Sequence, residues 1–148
     1  MQNIQLEVFN KEFVDQIEPT FNISFDDISK AFKKIFEDTP LEKINIVFVT
    51  SEYIQQLNKQ YRNIEAPTDV LSFKISEDMK ESEIYICPEY VYESFKGDSF
   101  EEEILRLIVH GTLHILGYDH KESLNDSPNE DMFVLQEELL LKFKKLCL

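Results

Sequence analysis

Three histidines stand at His110, His114 and His120 within the stretch HGTLHILGYDH, and the chain has no others. Two imidazoles four residues apart on a helix share one face, a turn from each other. Gly117 follows three residues later, where a helix ends in the left-handed conformation that glycine adopts without penalty. The reversal it permits brings His120 back toward the other two. Spacings of four and six, with a glycine between, therefore suit a three-nitrogen zinc site. Its open fourth position is the arrangement of catalytic rather than structural zinc. A closed structural site would need a further ligand, and neither Cys87 nor Cys147 is near in sequence. Asp119 suits an acceptor that orients an imidazole, or a turn residue, better than it suits a fourth ligand. A lone histidine on an apolar helix is ordinarily a satisfied core residue, but three at this spacing favour a metal.

The spacing matches the zinc-protease pattern HExxHxxGxxH at its three histidines and its glycine. One position breaks it: Gly111 stands where such proteases carry the glutamate that serves as general base. The metal ligands are kept and the protease base is lost, which argues against peptide hydrolysis by that route.

Arginine is scarce, with Arg62 and Arg106 set against thirteen lysines. A chain that otherwise uses lysine places arginine where a planar fork must grip a phosphate or carboxylate by two bonds. Arg62 is expected just past a helix, beside a proline-containing turn, as either such a fork or the partner of Glu65 or another acid in a surface ion pair. Arg106 lies one turn before His110, with Glu102 and Glu103 close enough on the helix to pair with it. Thr68, Asp69 and Ser72 are candidates to line a cleft, although local turn bonding explains Thr68 and Asp69 equally well. The acidic segment 119–131 lacks the glycine and alternating oxygen ligands of a calcium loop.

These residues need elements to hold them. Residues 4–8 alternate (Ile4, Leu6, Val8) as a strand with one buried face. Ser24 and Asp27 resemble a capping box ahead of a helix that buries Ile28, Phe32, Ile35 and Phe36. INIVFV (44–49) is apolar on both faces and β-branched, as in a central strand. A helix over 51–62 presents Ile54, Leu57 and Tyr61. Segments 69–75 and 83–89 read as two more strands, and Pro88 suggests that the latter lies near an edge. Ser99 opens a long helix through Leu116, apolar nearly all round and so central. A last helix from Ser127-Pro128 carries Met132, Leu135, Leu139 and Phe143 on one face. The order βαβαββαα gives a single α+β domain over 1–148, a small mixed sheet of about four strands packed by helices, one of which bears the metal site.

Composition bounds the rest. The chain has 148 residues, 43% hydrophobic and 30% charged, a globular profile. Its net charge of −14 argues against a general nucleic-acid binder, so any contact with a polyanion must rest on a local basic patch or on a partner. Two distant cysteines form no disulfide framework, which fits a reduced, cytoplasmic protein. The N-terminus lacks a signal-peptide pattern, and no apolar run approaches the roughly 18 residues of a membrane span.

HGTLHILGYDH resembles the hallmark HGxLHLxGYDH of the YbeY family of bacterial endoribonucleases and ribosomal-RNA maturation factors, with Ile115 for the usual Leu. LNKQYRNIEAPTDVLSF (57–73) is similar to a second family stretch, LNxxYRxxxxPTDVLSF, and MFVLQEELL (132–140) to the segment that follows the metal motif. The likeness runs from about residue 44 to the end. It departs at Ser82-Glu83-Ile84, where Gly-Asp-Ile is usual, and at Glu65-Ala66, where a charged pair is common. The resemblance implies an α+β metalloprotein with zinc on His110, His114 and His120, and Arg62 as the catalytic arginine. It also implies a role in maturing the 3′ end of small-subunit ribosomal RNA and in ribosome quality control.

The expected chemistry is metal-assisted cleavage of phosphodiesters in single-stranded RNA, with Arg62 stabilising charge on the phosphorane. The attacking oxygen is either water or the RNA's own 2′-OH, and no carboxylate stands out as general base. A second expectation, favoured by the −14 charge, is a ribosome-assembly factor braced by its metal and carried to RNA by a small-subunit ribosomal protein or a ribosome-associated GTPase. A metal-dependent hydrolase of a small molecule is a third.

Overall fold

The structure, a computed structural model, describes residues 4–75, 80–95, 99–118 and 127–147, without the side chains of 127–131. A four-stranded sheet has the order β1-β2-β4-β3, with β1 (Gln5–Phe9), β2 (Lys43–Phe48), β3 (Val70–Lys74) and β4 (Glu81–Ile86). β1 and β4 run parallel to β2, and β3 returns antiparallel to β4. β2 is closed on both faces, as its continuous apolar run requires: Ile44, Asn45 and Ile46 are all buried.

One face of the sheet carries the main core. Ile44, Ile46, Phe48, Ile84 and Ile86 meet α2 (Phe25–Ile35), α5 (Phe100–Ile115) and α6 (Ser127–Cys147) there. α2 starts because the Ser24 hydroxyl accepts from the backbone N–H of Asp26 and Asp27, and α5 because Ser99 does the same for Glu102. On the opposite face, α3 (Ser51–Arg62) lays Ile54 and Leu57 over Val47, Leu71, Phe73 and Tyr85. Thr50 caps its start, and Asn63, at φ 58°, ends it in the left-handed region.

The architecture is the expected α+β domain, with three corrections. Two short helices, α1 (Glu12–Ile17) and α4 (Pro88–Ser94), join those read from periodicity, so the order is βααβαββααα. Six- and seven-residue helices are too short to show a hydrophobic period, and tertiary packing holds them. β4 is an interior strand, and β3 takes the edge. Pro88 bears on neither, because it occupies the first turn of α4, where its missing N–H costs nothing, while Cys87 N–H still donates to Asp69 C=O. Tyr61, expected on the packed face of α3, is 58% exposed.

Candidate functional site

α5 is buried along most of its length, and His110 and His114 sit half-buried on its remaining side. Gly111 sets how closely the helix meets the sheet. A Cβ there would lie 2.8 Å from Ser72 Oγ and 3.0 Å from Ile84 Cγ2. This explains the missing protease glutamate: position 111 faces β3 and β4 at contact distance, with no room for a carboxylate. Gly117 ends the helix as its spacing predicts, at φ 107°. Tyr118 N–H reaches Leu113 C=O, and Gly117 N–H reaches His114 C=O. This is the doubled hydrogen bond of a glycine-terminated helix that turns sharply away.

The Nε2 atoms of His110 and His114 are 3.1 Å apart. Two nitrogens bound at 2.0–2.1 Å to one tetrahedral ion are about 3.3 Å apart, so this pair has the separation of two ligands to one zinc. The proton on His110 is placed by a neighbour that sequence reasoning passed over. Gln136, on α6 and 7% exposed, brings its Oε1 within 2.7 Å of His110 Nδ1. Its orientation follows from its other end, since Gln136 Nε2 donates to Glu137 Oε2 at 3.1 Å. The amide oxygen therefore faces the ring, His110 Nδ1 carries the hydrogen, and the Nε2 lone pair is left toward His114. A signal for Gln136 was present, because it lies four residues after Met132 and four before Leu140 on the buried face of α6.

Arg106 anchors the far end of this chain of bonds. It donates to Glu102, Glu103 and Glu137, so it serves the carboxylates the sequence placed beside it and one more from α6. Burial opposes its charge, but Glu137 and Glu103 outweigh burial and hold the guanidinium charged more firmly than usual. Burial also acts to raise Glu137; hydrogen bonds from Arg106 and Gln136 overcome it and hold the carboxyl below its ordinary range. Glu102, 9% exposed, is held low chiefly by a 2.8 Å bond from Lys144, against burial and together with Arg106.

Arg62 is the last residue of α3, exposed, and makes no hydrogen bond or ion pair among the described residues. The alternative partner, Glu65, is taken by Lys59 at 3.7 Å. The structure thus brings His110 and His114 together and does not join Arg62 to either by a contact. Asn58, 2% exposed, braces the loop beyond Arg62: its Nδ2 donates to Ala66 C=O at 2.9 Å. It was not singled out from sequence, although a polar residue four after the buried Ile54 marks the inner face of α3. Thr68 donates to Asp69 at 3.3 Å, the local bonding expected at a strand start. Ser72 lies directly beneath Gly111. His120 and Asp119 lie outside the described residues, and among the described residues no three His, Cys, Asp or Glu side chains cluster as metal ligands.

A mixed sheet backed by one buried helix that carries a pair of facing imidazoles defines an α+β protein with a histidine-based candidate metal centre. The family model described as Endoribonuclease YbeY matches residues 7–144. The chain belongs to that family. The endoribonuclease YbeY of Treponema denticola is 35% identical over 153 residues, covering 93% of this chain and 92% of that protein. The one from Thermotoga petrophila is 39% identical over 97 residues, and the match spans 64% of this chain and 63% of that protein. The solution structure of TM1509 from Thermotoga maritima superimposes with a TM-score of 0.60 at 28% identity, covering 94% of this chain and 89% of the other. No helix of the described residues is long and apolar enough to cross a membrane. Cys87 and Cys147 are both free thiols.

Proposed function

We propose that this protein is a zinc-dependent endoribonuclease that cleaves single-stranded RNA and acts in maturing the 3′ end of small-subunit ribosomal RNA. The observation that carries it is the facing pair of Nε2 atoms at 3.1 Å, with His110 oriented by Gln136, in a chain of the endoribonuclease YbeY family. His110, His114 and His120 hold the zinc. When bound, zinc supplies Lewis acidity at a phosphoryl oxygen or a water molecule. Gln136 keeps the His110 proton on Nδ1, so that Nε2 remains a lone-pair donor. Arg62, the arginine that has no carboxylate partner among the described residues, grips a phosphate oxygen by its fork and offsets charge as the phosphorane forms.

Purified protein loaded with zinc should cut single-stranded RNA, and Arg62→Ala should lower the rate while leaving zinc content unchanged. RNA left intact by the zinc-loaded protein would overturn the assignment. Product ends identify the nucleophile, because a 2′,3′-cyclic phosphate implicates the RNA's own 2′-OH. The −14 charge supports a second role, docking on a basic small-subunit ribosomal protein or through a ribosome-associated GTPase. Under that role alone, His114→Ala would lower the melting temperature yet preserve ribosome maturation.

A further inference from the structure

Four aromatic rings, two from α3 and two from the sheet face it covers, run in a continuous row. Tyr61 packs on Phe73 with ring centroids 4.9 Å apart, Phe73 on Tyr85 at 5.8 Å, and Tyr85 on Tyr53 at 6.3 Å. Phe73 and Tyr85 are held half-buried in the sheet, while Tyr61 is 58% and Tyr53 47% exposed. Tyr61 stands at a position whose helical period belongs to the core, yet the residue is exposed. Phe73 supports the ring from below, and Ile75, 51% exposed, lies just past the end of β3. Arg62, whose guanidinium is unengaged among the described residues, is the next residue in the chain.

Resting on the endoribonuclease reading above, we infer that Tyr61, braced by Phe73, is a stacking platform for an unpaired base of the RNA strand whose phosphate Arg62 holds. Charge favours this occupant. A protein of net charge −14 gains little from the general electrostatic attraction that drives most nucleic-acid binding. A base has no charge and presents a π-face whatever its identity, so stacking attracts the strand without competing with the acidic surface. Arg62, unpartnered among the described residues, meets one phosphate, and the Tyr61 ring braced by Phe73 meets the neighbouring base. Duplex RNA, with its bases already stacked, offers nothing to Tyr61, so the platform also selects single strands.

The chain lacks tryptophan, which gives a direct reporter. Tyr61→Trp should show its emission quenched on mixing with a short oligoadenylate, read in the binding phase of a stopped-flow trace, and unquenched by inorganic polyphosphate. In the chain with Tyr61 intact as reference, Tyr61→Phe should keep single-strand affinity and Tyr61→Leu should lose about tenfold, each with an unchanged melting curve. Affinity for duplex RNA should not respond to either change. Equal affinity of the Leu and Phe variants, or quenching by polyphosphate alone, would overturn the platform while leaving the nuclease intact. Self-association that depends on Tyr61, with no quenching by RNA, would assign the face to a second copy of the chain and overturn it too. If the chain with Tyr61 neither binds nor cuts RNA, both readings fall together.

Discussion

Gln136 Oε1 lies 2.7 Å from His110 Nδ1, a contact that crosses from α6 to α5 and leads on through Glu137 to Arg106. The position of one imidazole proton is thus settled by a glutamine 26 residues away in sequence, which is itself oriented by an ion-paired carboxylate.

Replacing Gln136 tests that relationship. Gln136→Ala removes the acceptor that holds the His110 Nδ1 hydrogen, so the zinc affinity proposed above should fall about 10- to 100-fold. Gln136→Glu, which keeps an acceptor for the Nδ1 hydrogen, should lose less. Competition with a chelator of known affinity measures both, and equal losses would show that the acceptor is not what matters.

The Arg106 network makes stability depend on acid. Glu102 and Glu137 titrate lower in the folded chain than their ordinary values. The unfolded chain therefore takes up protons first as pH falls. The stabilisation is fully present above the ordinary carboxylate range, near pH 4.5, and is lost as pH drops through the depressed folded values. Urea midpoints between pH 7 and pH 3 should fall along this course. Arg106→Met should flatten the part of that slope due to these two groups and cost about 2–3 kcal/mol at neutral pH, since it leaves Glu102 with fewer partners in a buried place.

Gly111→Ala should destabilise the protein even though alanine is the better helix former. The helix gains about 1 kcal/mol, but the new methyl meets Ser72 and Ile84 inside normal contact. Overpacking of this kind costs about 1–3 kcal/mol. Thermal melts of Gly111→Ala with and without Ser72→Ala measure it. Relief by the second change would locate the clash at the serine.

Asn58→Ala should loosen the segment after Arg62, because Ala66 C=O loses its donor. The expected cost is about 1–2 kcal/mol. Asn63→Val, which forces a β-branched residue to φ 58°, should cost a similar amount by strain at the end of α3. If Arg62 works from a fixed base, both variants should raise KM for RNA more than their stability loss alone accounts for, measured well below their melting temperatures.

How much of this was legible beforehand depended on the range of the forces involved. The strands, the helices α2, α3, α5 and α6, the Ser24 and Ser99 caps and the break at Gly117 follow from periodicity and from capping chemistry, which act over a few residues. So does the pairing of His110 with His114, because four residues make one turn. The resemblance carried by HGTLHILGYDH and LNKQYRNIEAPTDVLSF named a family from residue identity alone. The place of Pro88 in a helix, the edge position of β3, the exposed ring of Tyr61 and the clamp of Gln136 on His110 depend on which elements lie side by side. No local pattern encodes that. Tertiary packing decides it, through contacts such as Gly111 against Ser72 that exist only once α5 has settled on the sheet.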